Sequence, residues 1–355
     1  MKAFVFGDLH LGVHPLQLDE YVHIVENYFF KEAIPYIEAN YEDGDVIVQL
    51  GDVFDNRTAI NIKAMCVGIR IFEALSSICD VHVLCGNHDM YQEKSREYIS
   101  INALKFKNVH LHTSPNEIKL GGRRVLMCPY VHSTKELKDI ISNEDYNSSL
   151  LFAHTDLYGA RWGASKSDVC DFGLRIDDYS KFDLVVSGHI HIRQKIKNVL
   201  FTGTPYHLSR KDIGNKKGFH VIDMETLACQ FVENTISPEY VVLEVNENSD
   251  FSKIEEIIEG KNWVDLKVNI SEMESSPNLK KKVQRISETG RVKSVSYVDD
   301  VAALNPLFVD ESKIEILPSS WDLQALSTEY INQNIEDSEL KDKVLELIRE
   351  MMIEV

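Results

Sequence analysis

The sequence predicts an α/β fold whose chemistry gathers at one sheet edge, and three observations predict it. Apolar runs of strand length alternate with amphipathic stretches of helix length. Five of the runs end in Asp, Asn or His, at Asp8, Asp52, Asn87, His154 and His189. Four of those ends carry a glycine, which lets the backbone turn tightly as it leaves a strand. Ligand sites in α/β sheets collect beyond the carboxyl ends of strands, so five polar strand ends point to one site.

Length and composition frame that reading. A chain of 355 residues suggests about two domains. Hydrophobic content of 44% and charged content of 26% are those of a globular protein, which excludes wholesale disorder. Asp8 interrupts the first apolar run too early for a signal peptide, and no run approaches membrane-spanning length, so a cytoplasmic protein without membrane contact is expected. The six cysteines form no CxxC pair and several lie in apolar runs, the pattern of reduced, buried thiols. A net charge of -18 argues against a free-standing nucleic-acid binder. Three things offset it: divalent cations would make a carboxylate-lined cleft locally positive, the acidic surplus concentrates in residues 233 to 355, and a partner subunit could supply positive surface.

In order, residues 2 to 6 read as a strand ending in Gly7-Asp8-Leu9-His10, where Asp and His two apart point to the same side of extended backbone. A helical stretch covers about 18 to 40, and a buried strand at 45 to 50 delivers Gly51-Asp52-Val53-Phe54-Asp55. A helix from about 60 to 77 precedes a strand at 81 to 85 and Gly86-Asn87-His88-Asp89, which sets amide, imidazole and carboxylate side by side. A charged helical segment is expected from Glu93 to about Lys105, and short strands at 108 to 128 about a Gly121-Gly122 turn. The run 149 to 153 ends in His154, and the run 182 to 187 in Gly188-His189-Ile190-His191. Two histidines one residue apart, straight after a glycine on extended backbone, are the strongest single metal signal in the chain. Shorter strands follow, with Gly203-Thr204-Pro205 as a turn and runs at 218 to 223 and 229 to 232.

The texture changes near residue 240. A strand at 241 to 245, a helix at 251 to 259 capped by Asp250 and stopped by Gly260, an alternating strand at 264 to 270, a helix opened by Ser276-Pro277 and a strand at 292 to 298 make a small α/β unit. Its Lys280-Lys281-Lys282 run reads as a solvated helix face. Two amphipathic helices close the chain, on stripes of Leu323, Leu326, Tyr330 and Ile331 and of Leu340, Val344, Leu347, Ile348 and Met351. The domain plan is therefore 1–238, a small domain over 239–302, a linker over 303–319 and the helix pair over 320–355.

Collected at one edge, Asp8, His10, Asp52, Asn87, His154, His189 and His191 supply carboxylates, an amide oxygen and imidazoles, too many ligands for one zinc ion. Mixed oxygen and imidazole donors suit a pair of ions such as Mn or Fe, with Asp52 between them. Such a pair activates a water and clamps a phosphate opposite its leaving oxygen. His88 is left for proton transfer, with Asp89 orienting its ring.

As an ordered set, Asp8-x-His10, Gly51-Asp52-x-x-Asp55, Gly86-Asn87-His88-Asp89, His154 and Gly188-His189-x-His191 resemble the calcineurin-like metallophosphoesterase superfamily. Within it, Asp8-Leu9-His10-Leu11-Gly12, Gly51 to Asp55 and Gly203-Thr204-Pro205 are similar to the SbcD/Mre type of DNA repair nuclease. With Asn56-Arg57-Thr58-Ala59-Ile60 and the helical C-terminus, the likeness runs closest to the recombination endonuclease subunits of T-even-like phages. The resemblance implies a four-layer α/β sandwich with a small capping domain and a C-terminal helix pair that grips the coiled coil of an SMC-like ATPase of SbcC/Rad type. It implies one ion on Asp8, His10, Asp52 and His191, a second on Asp52, Asn87, His154 and His189, and His88 in catalysis. It also implies Mn-dependent exonuclease action on duplex DNA and endonuclease action on single strands, in a homodimer within a heterotetramer, with Mg or Fe as other candidate metals. Such a protein works in DNA recombination, repair and replication, in the host cytoplasm if phage-encoded. Some cellular relatives carry His where Asp55 stands, so no second catalytic histidine is carried over, and Asp55 is free to orient His10 or another ligand.

Arg57, Arg193, Arg210 and Lys211, near the motifs in sequence, are candidate phosphate contacts. Two rival functions use the same residues: a phosphatase or cyclic-nucleotide phosphodiesterase of small substrates, and a catalytically dead scaffold for the ATPase. The extra domain and tail argue against the first, and the complete ligand set against the second.

Overall fold

The computed structural model describes residues 1–298 apart from 15, 16, 164, 166 and 261, so the expected linker and C-terminal helices lie outside the described residues. The first six-stranded sheet is built from β1 (Lys2–Phe6), β2 (Val46–Gln49), β3 (Asp80–Leu84) and, past a hairpin of β4 (Met90–Gln92) and β5 (Ser95–Ile99), β6 (Val109–His112). The second contains β7 (Asn116–Leu120), β8 (Arg123–Cys128), β9 (Leu150–His154), β10 (Leu184–Gly188), β11 (Gln194–Ile196) and β12 (Val199–Phe201). The chain returns to the first sheet with β13 (Gly218–Asp223) and β14 (Cys229–Glu233). The strand orders are β14-β13-β1-β2-β3-β6 and β11-β12-β10-β9-β8-β7. In each sheet the central strands run parallel, so their carboxyl ends share one edge.

Alternation along the strands makes the layers. In β1, Ala3 and Val5 face the second sheet and pack with Met127, Phe152 and Val186, whereas Phe4 and Phe6 face outward onto Tyr21, Val25 and Phe29. Helices α1 (Leu18–Tyr28), α2 (Ile34–Asn40) and α3 (Ile62–Ile78) cover that outer face. The far face of the second sheet buries Leu126, Leu151 and Val185 against Leu137 and Ile141 of α4 (Thr134–Ser142). The result is a helix–sheet–sheet–helix sandwich, the four layers expected.

Two local expectations change. The stretch from 18 to 40 contains a π-helical turn at Phe29–Ala33 just before Pro35, and a widened turn accommodates a proline that lacks an N–H and crowds the preceding turn. The helix expected from Glu93 to Lys105 is instead the hairpin of β4 and β5 followed by a short 3-10 turn at Ser100–Leu104. Its charges mimic a helix surface, but Tyr91, Tyr98 and Ile99 favour strand, and Met90 pairs with Ile99.

The small sheet runs β15 (Tyr240–Val245), β16 (Trp263–Asn269) and β17 (Val292–Val298), all parallel, beneath α5 (Phe251–Glu259), α6 (Ile270–Ser275) and α7 (Pro277–Ser287). Asp250 caps α5 by accepting from the Ser252 N–H, 3.1 Å away. The sheet meets the sandwich where Trp263 stacks on Tyr240 and on Tyr21, with ring centroids 4.6 and 5.4 Å away, and where Arg210 and Asp265 pair.

Candidate metal centre

The carboxyl ends of β1, β2, β3, β9 and β10 meet because small residues let their loops cross. A Cβ on Gly86 would lie 2.1 Å from Asp52 Oδ1, and one on Gly188 only 2.5 Å from Asp8 Oδ1. The loops are bonded to one another: Leu9 and His10 N–H donate to the Asp52 carbonyl, both at 3.0 Å, and Leu11 N–H to Val53 O at 2.9 Å. His10, Asp52 and His189 adopt left-handed φ values of 45, 53 and 76°.

All seven metal-ligand candidates come together there. His10 Nε2 lies 2.9 Å from His191 Nε2, 3.9 Å from Asp8 Oδ2 and 3.7 Å from Asp52 Oδ2. The same Asp52 oxygen lies 3.4 Å from His154 Nε2, which is 2.9 Å from Asn87 Oδ1 and 3.1 Å from His189 Nδ1. Among the described residues, Asp8, His10 and His191 form one potential cation-binding group and Asp52, His154 and His189 another. Asp52 therefore faces both.

The donor chemistry fits divalent cations. The Leu50 carbonyl accepts from His154 Nδ1 at 2.7 Å, and Asp55 Oδ1 lies 3.0 Å from His10 Nδ1, so each ring turns the lone pair of Nε2 inward. Asp156 Oδ1 lies 2.8 Å from His189 Nε2, and His189 Nδ1 lies 2.9 Å from Asn87 Oδ1. Acceptors thus face acceptors about 3 Å apart, the spacing of neighbouring ligands around an ion with bonds of about 2.1 Å. Proton affinities report the same demand for positive charge. Burial would push His154 down, but Asp52 and Asp8 raise it to about 10; burial likewise opposes His10, which Asp55, Asp52 and Asp8 raise to about 9. Burial would raise Asp52, yet the imidazoles of His154 and His10 hold it far below the carboxylate range. His191 is the exception, kept well below its usual value by burial and by His10.

His88 stands at the rim, half-buried, its Nδ1 2.6 Å from the Asp55 carbonyl oxygen and its ring edge-on to His10 at 4.8 Å. Asp89 does not orient it. That carboxylate accepts the backbone N–H groups of Asp52, Val53 and Gly86 at 2.8, 3.0 and 2.9 Å and so ties two loops together. Burial and the neighbouring Asp52 push Asp89 up to about 6. Its position after His88 in the sequence suggested contact, but consecutive side chains on this turn point apart.

The basic candidates are less uniform. Arg57 pairs with Glu93 at 3.6 Å beside the hairpin. Arg193 covers the Phe231 ring at 4.0 Å, Arg210 is committed to Asp265, and Lys211 is exposed. Two contributors had little sequence signal. Asp156 stands two residues after His154, which was a usable hint. Lys217, fully buried, donates to the His191 carbonyl at 2.7 Å and to Asp212 at 2.5 Å, and nothing local in the sequence marks it.

The layered sandwich and the facing donor groups define a metallophosphoesterase, and the chain belongs to the calcineurin-like phosphoesterase family, whose model matches residues 1–193. More particularly, it is similar to exonuclease subunit 1 of Enterobacteria phage T4, at 26% identity over 364 residues covering 100% of this chain and 99% of that protein. It is also similar to phosphoesterase 244L of invertebrate iridescent virus 6, at 30% identity over 57% of this chain and 69% of that protein. The family acts on phosphoesters with divalent metals, so this is a phosphoester hydrolase. No helix among the described residues is long and apolar enough to cross a membrane.

Proposed function

We propose that this chain is a metal-dependent DNA nuclease, exonucleolytic on duplexes and endonucleolytic on single strands. The observation that carries the chemistry is the Asp52 oxygen shared by the two facing groups of lone pairs. Asp8, His10, Asp52 and His191 would hold one divalent ion, manganese for preference, and Asp52, Asn87, His154 and His189 a second. Bound there, the ions would supply Lewis acidity to the phosphoryl oxygens and to an attacking water.

The chain's own groups do the rest. Asp55 fixes the His10 ring, and the His88 N–H donates to Asp52 Oδ1 at 2.8 Å, aiming that carboxylate. The Asp55 carbonyl accepts from His88 Nδ1, which leaves Nε2 as the atom that would pass a proton to the departing oxygen. The full-length similarity to an exonuclease subunit supports a nuclease that works in an assembly, in this reading one for DNA recombination, repair and replication. In that assembly residues 320–355 bind an SMC-like ATPase, as a homodimer within a heterotetramer.

The test is Mn-dependent cleavage of end-labelled duplex and single-stranded DNA, with bis-nitrophenyl phosphate as a generic diester. His88→Ala is expected to keep its metal content and lose about 10²- to 10⁴-fold in DNA cleavage. Turnover of the small diester or of cyclic nucleotides, with no DNA cleavage even beside the ATPase, would move the assignment to a small-substrate phosphoesterase.

A further inference from the structure

Beside His189 the chain makes an excursion that the chemistry above does not use. Its arms, 157–163 and 168–174, are bonded to each other: Tyr158 N–H to Leu174 O at 2.9 Å, Gly159 to Cys170 at 2.8 Å, Cys170 to Ala160 at 2.7 Å and Trp162 to Asp168 at 2.7 Å. Two further bonds, Arg161 N–H to Gln194 Oε1 at 2.9 Å and Gln194 Nε2 to the Arg161 carbonyl at 2.8 Å, tie it to the strand after His191. It is therefore a fixed ribbon. Leu157, Ala160, Cys170 and Leu174 are buried beneath it, yet Tyr158, Val169 and Phe172 are 45, 45 and 53% exposed.

The aromatic rings run outward from the metal centre. His189 meets the edge of Trp162 at 5.6 Å and 71°, and Trp162 meets Phe172 at 5.8 Å and 36°. Close by, the Arg175 guanidinium lies 4.4 Å over the Tyr158 ring. Rings held by backbone bonds next to a phosphoester site, Phe172 exposed and Trp162 half-buried against the core, are suited to one class of partner group, the π-face of a nucleobase. The net charge of -18 points the same way. Away from the cations such a chain attracts phosphate weakly, so contacts that salt does not screen add to its affinity for a strand.

We propose that Trp162 and Phe172 form a stacking wall for the unpaired base next to the phosphate at the metal centre, which makes the ribbon a determinant of single-strand specificity. This rests on the nuclease reading. The experiment titrates the full chain, in manganese, with a single-stranded phosphorothioate oligonucleotide and with the same oligonucleotide made abasic, reading tryptophan fluorescence and Kd. Quenching is expected with the base-bearing strand. Phe172→Ala is expected to raise its Kd about 5- to 150-fold, to bring the two Kd values together, and to be rescued by Phe172→Trp. Equal losses on both strands, no loss, or a change in the oligomeric mass of Phe172→Ala would overturn the wall and leave the nuclease reading in place. Absence of DNA binding by the native chain even beside the ATPase, with small-diester turnover intact, would remove both.

Discussion

The large sandwich and the small sheet share a plan of parallel strands crossed by helices, and they differ in what their strand ends do. Past β15 and β16, Asn246 and Asn269 find donors in their own loops: Asn246 accepts the Asn248 N–H at 2.9 Å, and Asn269 the Glu272 N–H at 3.2 Å. Past β1, β2, β3, β9 and β10 the polar groups are acceptors turned toward acceptors. All 13 histidines of the chain precede β15. Polarity at a strand end is thus common to both regions, and what marks a site is polar groups whose complement lies outside the chain.

The sharpest way to break that contrast is Asp52→Asn, which keeps the acceptor for the His88 N–H but halves the shared carboxylate. It is expected to lose both ions and on the order of a thousandfold in diester turnover, read by metal analysis and kinetics; retained stoichiometry would mean that Asp52 does not join the two groups. In the small sheet the corresponding large effect is on stability. Trp263→Ala, which empties the stack on Tyr21 and Tyr240, is expected to cost about 3–5 kcal/mol in urea unfolding, with metal content per folded molecule kept.

A third measurement uses the histidines. Burial holds His82 down to about 3, helped by His112, and holds His207 and His220 down to about 4. An unfolded histidine titrates near about 6.5, so below that pH the unfolded chain binds more protons and these groups' contribution to stability falls as pH drops toward about 4. His220→Phe is expected to flatten that slope by about one proton, read from urea midpoints taken downward from neutral pH; its Nδ1 is buried without a partner, so the ring substitution also removes an unsatisfied group. The smallest effect is at the junction. Arg210 is half-exposed, so Arg210→Ala is expected to cost no more than about 1 kcal/mol, and a larger loss would give the Arg210–Asp265 pair a part beyond holding the small sheet.

Much of this was legible because it is local. Glycine followed by Asp, Asn or His at the end of an apolar run states both the turn and the ligand, and Asp250 and Gly260 bracket α5 as caps do. What could not be read depends on distant partners. The charges of residues 93 to 97 do not say whether a helix or a hairpin carries them until Met90 pairs with Ile99. Asp89 differs from Asp55 in role only because the loop after β2 lies above it. Lys217 becomes part of the site through a carbonyl 26 residues away.

The left-handed backbone at His10, Asp52 and His189 has a consequence for how this sequence can drift. Each position holds a bulky or charged side chain where glycine or asparagine would rest more easily, at a cost of about 1–3 kcal/mol per residue. Backbone strain therefore pulls these positions away from the residues they have, and the chemistry pulls back together with the contacts of His10 to Asp55 and of Asp52 to the His88 N–H. A lineage released from phosphoester hydrolysis would lose the chemical part of that restraint and keep His10 only through its contact with Asp55.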